Sequence, residues 1–155
     1  MDDLDTVVDQ WVTLVADQRE HGTHLLPEEN RETARDVLSQ YVATDKLLVA
    51  RVGGVVAGFV MFHVETGLYE QDVTRGVVDN VYVGPAYRGA GVGSALLDEA
   101  ESTLAARGAD VVSLSVMASN VRARDLYESR GYEAQRVVME RDVDSKNDTH
   151  SKEDG

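Results

Sequence analysis

Cysteine is absent from the 155-residue chain, which excludes disulfides, thiolate-held zinc and a cysteinyl acyl-enzyme. Proline occurs twice, and lysine three times (Lys46, Lys146, Lys152) against twelve arginines. No apolar run approaches the roughly 20 residues that a membrane helix needs. The opening Met1-Asp2-Asp3-Leu4-Asp5 is acidic rather than signal-like, so a cytoplasmic protein with no membrane partner is expected. Basic residues are outnumbered 15 to 28, a formal charge of −13. Nucleic acid is therefore not an expected partner, because neutralising phosphates needs a basic face. Length and a hydrophobic content of 43% fit a single domain, read as residues 1–141, before a polar tail over 142–155 that reads as disordered.

The acids are dispersed, and Asp exceeds Glu by 16 to 12. Short carboxylates in surplus with few lysines resemble the proteins of salt-loving archaea; an ordinary acidic mesophilic protein is the alternative. Near 1 M salt the screening length is only about 3 Å, so recognition would rest on short directional contacts. One window departs from the pattern. From Asn80 to Leu97, eighteen residues hold no carboxylate and one charge, Arg88. That is space suited to an anion.

Leu4, Val7, Val8, Trp11, Leu14 and Val15 mark one face of a helix running to about Arg19. Pro27 opens a second helix, with Val37, Leu38, Tyr41 and Val42 as its apolar side. Two β-rich runs, Lys46–Val52 and Val55–Val64, flank Gly53-Gly54, a hairpin signal. Glu65–Gly76 reads as a connection and Val77–Val83 as the next strand. A helix from Gly91 to about Arg107, a strand Val111–Met117, a helix Val121–Arg130 and a last strand Tyr132–Arg141 complete the order. A mixed α/β fold with an antiparallel meander at one end follows.

Between strand and helix lies Gly84-Pro85-Ala86-Tyr87-Arg88-Gly89-Ala90-Gly91-Val92-Gly93-Ser94. Glycines lacking Cβ let backbone N–H groups converge on an anion, and the first N–H groups of a helix lack internal partners. Arg88 adds a side-chain clamp. A nucleotide P-loop would need lysine before Ser94, and a dinucleotide fingerprint would need a different glycine spacing.

The run Arg88-Gly89-Ala90-Gly91-Val92-Gly93 resembles the acyl-CoA pyrophosphate loop of the GNAT superfamily of N-acetyltransferases, Gln/Arg-x-x-Gly-x-Gly/Ala. A second family motif, N-x-x-A-x-x-L-Y-x-x-x-G-Y/F, resembles Asn120 through Tyr132 at every specified position. The similarity covers roughly Leu47–Met139; the family usually opens with a strand, whereas this chain opens with a helix. The resemblance implies a GNAT-like central sheet whose strands splay at a cofactor slot. It implies acetyl-CoA as co-substrate, a primary-amine acceptor and no metal. A homodimer is a further expectation, since similar proteins are commonly dimers.

By the same resemblance Val81 and Val83 offer backbone contacts to pantetheine. Arg88, Gly89, Ala90, Gly91, Val92, Gly93 and Ser94 hold the pyrophosphate. Asn120 contacts the cofactor while capping its helix. Tyr127 is nominated as general acid, with a core tyrosine as the alternative. Related ribosomal-protein acetyltransferases carry a glutamate five positions before the asparagine; here that position is Ser115, so the role does not transfer. Asp79 is the candidate base, acting through water, and strand parity puts it on the face of Val77, Val81 and Val83; a surface aspartate is the alternative. His63 reads as an ordinary strand histidine, Glu65, Glu70 and Asp72 as solvated acids, and His21 and His24 as lacking metal-ligand spacing. Without cysteine, direct attack in a ternary complex is preferred to a ping-pong route. The competing class is a non-catalytic acyl-CoA-binding module, which needs neither Tyr127 nor a base.

Overall fold

The computed structural model describes residues 3–143; most of the expected tail lies outside them. Helices α1 (Leu4–Arg19) and α2 (Arg31–Ala43) come first, the second entered through a tight turn at Glu28–Asn30. Strands β1 (Leu47–Val52), β2 (Val55–Val64) and β3 (Arg75–Val83) form an antiparallel meander. After them come α3 (Val92–Ala106), β4 (Val111–Leu114) and α4 (Val121–Ser129). The sheet order is β1-β2-β3-β4, with β4 parallel to β3. This is the mixed α/β architecture expected.

Burial follows from placing helices on both faces of β2. Every residue from Val56 to Phe62 is buried, as a strand covered on both sides requires. Phe59 and Met61 pack with Val7, Val8, Leu38 and Tyr82 on the α1/α2 side. Val60 and Phe62 pack with Val78, Leu96, Leu97, Ala100 and Leu104 on the α3 side. The apolar stripe of α1 also includes buried Val12. On α2 the buried residues are Ala34 and Leu38, whereas Val37 is 40% exposed.

One irregularity shapes the rest. Opposite β2, pairing slips by a residue: Met61 faces Asn80, Phe62 faces Val78, and Asp79 is left without a partner. Such a bulge bends its strand and increases the local twist. β4 pairs with β3 only from Arg75↔Val111 to Val78↔Leu114, so the two strands part where the bulge begins. The splay is therefore in place, and β4 ends at Leu114 rather than Met117.

Two other boundaries differ from expectation. Arg75 and Gly76 belong to β3 rather than to the preceding connection. Tyr132–Arg141 forms no strand among the described residues. Its β-formers have nothing to pack on: Val137, Val138 and Met139 are 76%, 81% and 88% exposed, and β-propensity is largely a preference for neighbouring strands.

Gly58 lies close against β3, opposite Val83. A Cβ there would stand 2.2 Å from the Tyr82 carbonyl oxygen, closer than any real contact. Gly58→Ala should therefore destabilise the fold by about 1–3 kcal/mol through forced backbone movement. Urea denaturation reads this as a lowered midpoint; an unchanged midpoint would show that β3 yields freely.

Candidate active site

The turn after β3 ends on two left-handed glycines, Gly89 at φ 81° and Gly91 at φ 83°. Only glycine takes that conformation without strain, and a Cβ on either would enter open space. Gly91 is the N-terminal cap of α3, and its carbonyl accepts the first helical bond, from the Ala95 N–H at 3.0 Å. The N–H groups of Val92, Gly93 and Ser94 thus have no partner within the helix. No side chain caps them, and the first turn holds no acid. The positive end of the helix is uncovered. Gly93 approaches the strand end, where a Cβ would meet Val83 at 3.5 Å.

Arg88 faces another way. Its Nε donates to the Val83 carbonyl at 2.9 Å, its guanidinium lies 5.8 Å from the Tyr82 ring centroid, and Asp17 of α1 is 3.9 Å from Nη2. These contacts brace the strand end.

The backbone of β3 beyond the bulge has a definite polarity. Gly84 N–H donates to the Ala57 carbonyl at 2.7 Å, so by the alternation of an antiparallel ladder Tyr82 and Asn80 turn their groups to β2. Val81 and Val83 turn theirs outward, to the side that β4 has left. A narrow cavity lies there, lined by Asp79, Val81, Leu114, Ser115 and Tyr127.

Tyr127 comes from α4. Asn120 caps that helix, its Oδ1 accepting from Ala123 N–H at 3.2 Å. At the other end Gly131 and Tyr132 N–H groups bond the Glu128 and Tyr127 carbonyls, both at 3.0 Å, a Schellman closure. Arg130 then pairs with Asp98 at 2.8 Å and Glu101 at 2.9 Å on α3. Tyr132 Oη adds a 2.6 Å bond to Glu101. The tether sets α4 so that Tyr127 reaches both the cavity and the α3-side core. Burial pushes its phenol above the usual tyrosine range, so it is protonated at neutral pH.

Asp79 departs from the parity expectation. It shares the α1/α2 side with His63, not the face of Val81 and Val83, because the bulge inverts the alternation between Val78 and Asn80. His63 Nδ1 lies 2.7 Å from Asp79 Oδ2, and Tyr41 Oη donates to the same oxygen at 3.0 Å. A carboxylate only accepts, so Nδ1 carries the hydrogen. His63 is thus a partner of the candidate base. Spacing missed it because the histidine lies sixteen positions away across an irregular register.

Asp79 also borders a second, larger cavity of about 380 Å³ between α1, α2 and β3. Asp79 and Asn80 line both cavities. Elsewhere, Glu65 pairs with Arg75 at 3.5 Å, His24 with Glu140 at 2.7 Å, and His21 meets Ser119 at 3.2 Å. Among the described residues no group of three or more His, Asp or Glu is placed to hold a metal, and no helix is long and apolar enough to cross a membrane.

The model of the Acetyltransferase (GNAT) family matches residues 10–132. Acetyltransferase SG1711 of Sodalis glossinidius is 38% identical over 95 residues, 61% of this chain and 62% of that protein. The chain spans about three-fifths of the length of the curated relatives it matches. A GCN5-related N-acetyltransferase from Ralstonia eutropha JMP134 superposes with a TM-score of 0.72 at 26% identity, covering 92% of this chain and 93% of that one. AAC(6')-Iy, in complex with the bisubstrate analogue CoA-S-monomethyl-acetylneamine, superposes at 0.62 and 17% identity over 89% and 92% of the two chains; at that identity it shows the fold alone. Both of the first two proteins are bacterial, so the similarity lends no support to a haloarchaeal origin.

The Tyr41 phenol is pushed up to about 12, first by burial and then by the Asp79 charge and hydrogen bond. An unfolded tyrosine ionises near 10. Between these values unfolding releases a proton, so stability is intact below pH ~10 and falls as pH rises towards about 12. Tyr41→Phe should flatten that alkaline fall. Denaturation midpoints from pH 9 to 12 read it; identical slopes would remove Tyr41 from the alkaline transition.

Proposed function

The chain belongs to the acetyltransferase (GNAT) family, and on that premise we propose that it moves an acetyl group from acetyl-CoA to a primary amine by direct attack in a ternary complex. One observation carries the reading. The outward-turned edge of β3 at Val81 and the buried Tyr127 line one narrow cavity, the uncovered start of α3 follows the end of the same strand, and Asp79 lines both that cavity and the larger one.

The residues present fit the ligand. N–H groups of Gly89 through Ser94, with the α3 dipole, suit a pyrophosphate. Val81 and Val83 suit pantetheine amides as an added strand would. Acetyl-CoA supplies the acetyl group already activated as a thioester.

The remaining work falls to this chain. An amine near pH 7 is protonated and must lose a proton before it attacks. Asp79, directly or through water, takes that proton, with His63 and Tyr41 fixing its orientation. Backbone N–H near Val81 faces the oxygen that gains charge. As the C–N bond forms and the C–S bond breaks, Tyr127 gives its proton to the leaving sulfur. The nitrogen sheds its second proton to restore Tyr127, so one proton is released overall.

Residues 1–141 constitute the catalytic unit in this reading, and Arg88 swings from Val83 to the phosphates as they arrive. A homodimer is supported by the exposed Val137–Met139 run and by the outer edge of β4, which has no partner among the described residues. Work in the cytoplasm and at high salt rests on composition.

Gly91→Asp should weaken acetyl-CoA binding at least tenfold in calorimetry, by placing a like charge at the helix start; retained affinity would refute the cradle. Tyr127→Phe should lower kcat at least tenfold with the acetyl-CoA Kd little changed, and Asp79→Asn should lower kcat/KM for the amine at least tenfold. Full turnover by the Tyr127 variant would return Tyr127 to the core, and an unchanged kcat/KM in the Asp79 variant would remove Asp79 as the base; acetyl-CoA binding with no thiol release from any amine would leave only a binding module.

A further inference from the structure

The lining of the larger cavity speaks to the class of amine, an inference that rests on the acetyl-transfer reading above. α2 turns one helical stripe towards it, Thr33, Ala34, Val37, Leu38 and Tyr41, extended by Asn30 at its N-terminal cap. Trp11 of α1 and Met61 of β2 line it as well. The acids of α2, Glu32 and Asp36, lie off that stripe and are not among the lining residues. Among the described residues that line the cavity, Asp79 is the one carboxylate, and it sits at the end shared with the cofactor slot.

Two of the lining polar groups are already engaged. Asn30 Nδ2 donates to the Leu26 carbonyl at 2.8 Å, and Tyr41 Oη donates to Asp79. A second ammonium would lie against Trp11, Val37 and Met61 with no counter-charge, and an unpaired charge on apolar walls is strongly disfavoured. At the mouth, Leu25 and Val37 are 43% and 40% exposed, apolar surface that an apolar ligand would cover. The volume of about 380 Å³ is near the lower end of small-molecule sites, about 300–1,000 Å³.

We propose that the acceptor is a small primary amine with a single positive charge and an aryl or branched-alkyl body. Its ammonium meets Asp79, which places the nitrogen beside the slot, and its body lies along the α2 stripe. Charge complementarity selects one cation in a chain whose net charge would attract several.

The test measures thiol release from acetyl-CoA with phenethylamine, isoamylamine, spermidine and neamine, alongside calorimetry with coenzyme A. Either monoamine should exceed both polyamines in kcat/KM by tenfold or more. Val37→Asp, at a half-exposed position compatible with folding, should cut the monoamine value at least tenfold and raise that of spermidine, with coenzyme A affinity unchanged. Leu25→Asp should act in the same direction. Preference for spermidine or neamine, or indifference to both variants, would overturn the acceptor class while leaving acetyl transfer standing. If coenzyme A binds and no amine is acetylated, the acceptor class falls; if coenzyme A does not bind, the acetyl-transfer reading falls with it.

Discussion

A single unpaired residue in β3 sets the geometry on which the candidate site depends. Because Asp79 is bulged out of the ladder, the strand bends there, and β4, paired up to Val78, departs at the same point. The bend opens the slot. It also leaves the backbone groups of Val81 and Val83 facing that slot, since the ladder to β2 uses those of Asn80 and Tyr82. The bulged residue itself is delivered to the opposite side, into contact with His63 and Tyr41. One local insertion thus creates a binding edge and aims a carboxylate, a recurrent use of bulges beside active sites.

Holding that geometry is the task of the two cores. Phe62, Val78, Leu97 and Leu104 fix α3 to one face of the sheet, while Phe59, Met61, Val8 and Leu38 fix α1 and α2 to the other. The start of α3 can then leave three N–H groups uncovered, because burial further along the helix, at Leu96, Leu97, Ala100 and Leu104, holds it without a cap. Natural helices usually satisfy such groups with Ser, Thr, Asn or Asp. A glycine in that place sacrifices local stability for access.

The sequence made the periodic and punctuated parts legible. The face of α1, the Gly53-Gly54 hairpin, the glycine turn before α3 and the Asn120 cap each follow from local rules, and each lies where those rules put it. What was missed depends on contacts between distant residues. A bulge at Asp79 has no glycine or proline to announce it, so parity carried Asp79 to the wrong face. His63 could be paired with it only once the slipped register was known. The run from Tyr132 to Arg141 has strand-like composition without a strand beside it, and composition alone cannot supply a neighbour. Arg88, read as free for an anion, is engaged by Val83, Tyr82 and Asp17, contacts set by how α1 packs.

The distribution of charge ties these pieces together. In a chain of net −13, any anionic ligand approaches against the average field, and at short range the nearest carboxylates decide the outcome. Between Asn80 and Leu97 the chain contributes none, and Asp17, which approaches this turn from α1, stands 3.9 Å from the Arg88 guanidinium that offsets it. Asp79 and Asp98 bound the window, one at each end. Asp98 is occupied by Arg130 in fastening α4 to α3. Asp79 lies beyond the bulge, on the side facing the larger cavity, where a negative charge attracts a cation instead of repelling a phosphate. In the proposed reaction, the opposite requirements of the two ligands are therefore separated by one step in the register of a strand, the step at which β3 and β4 also part.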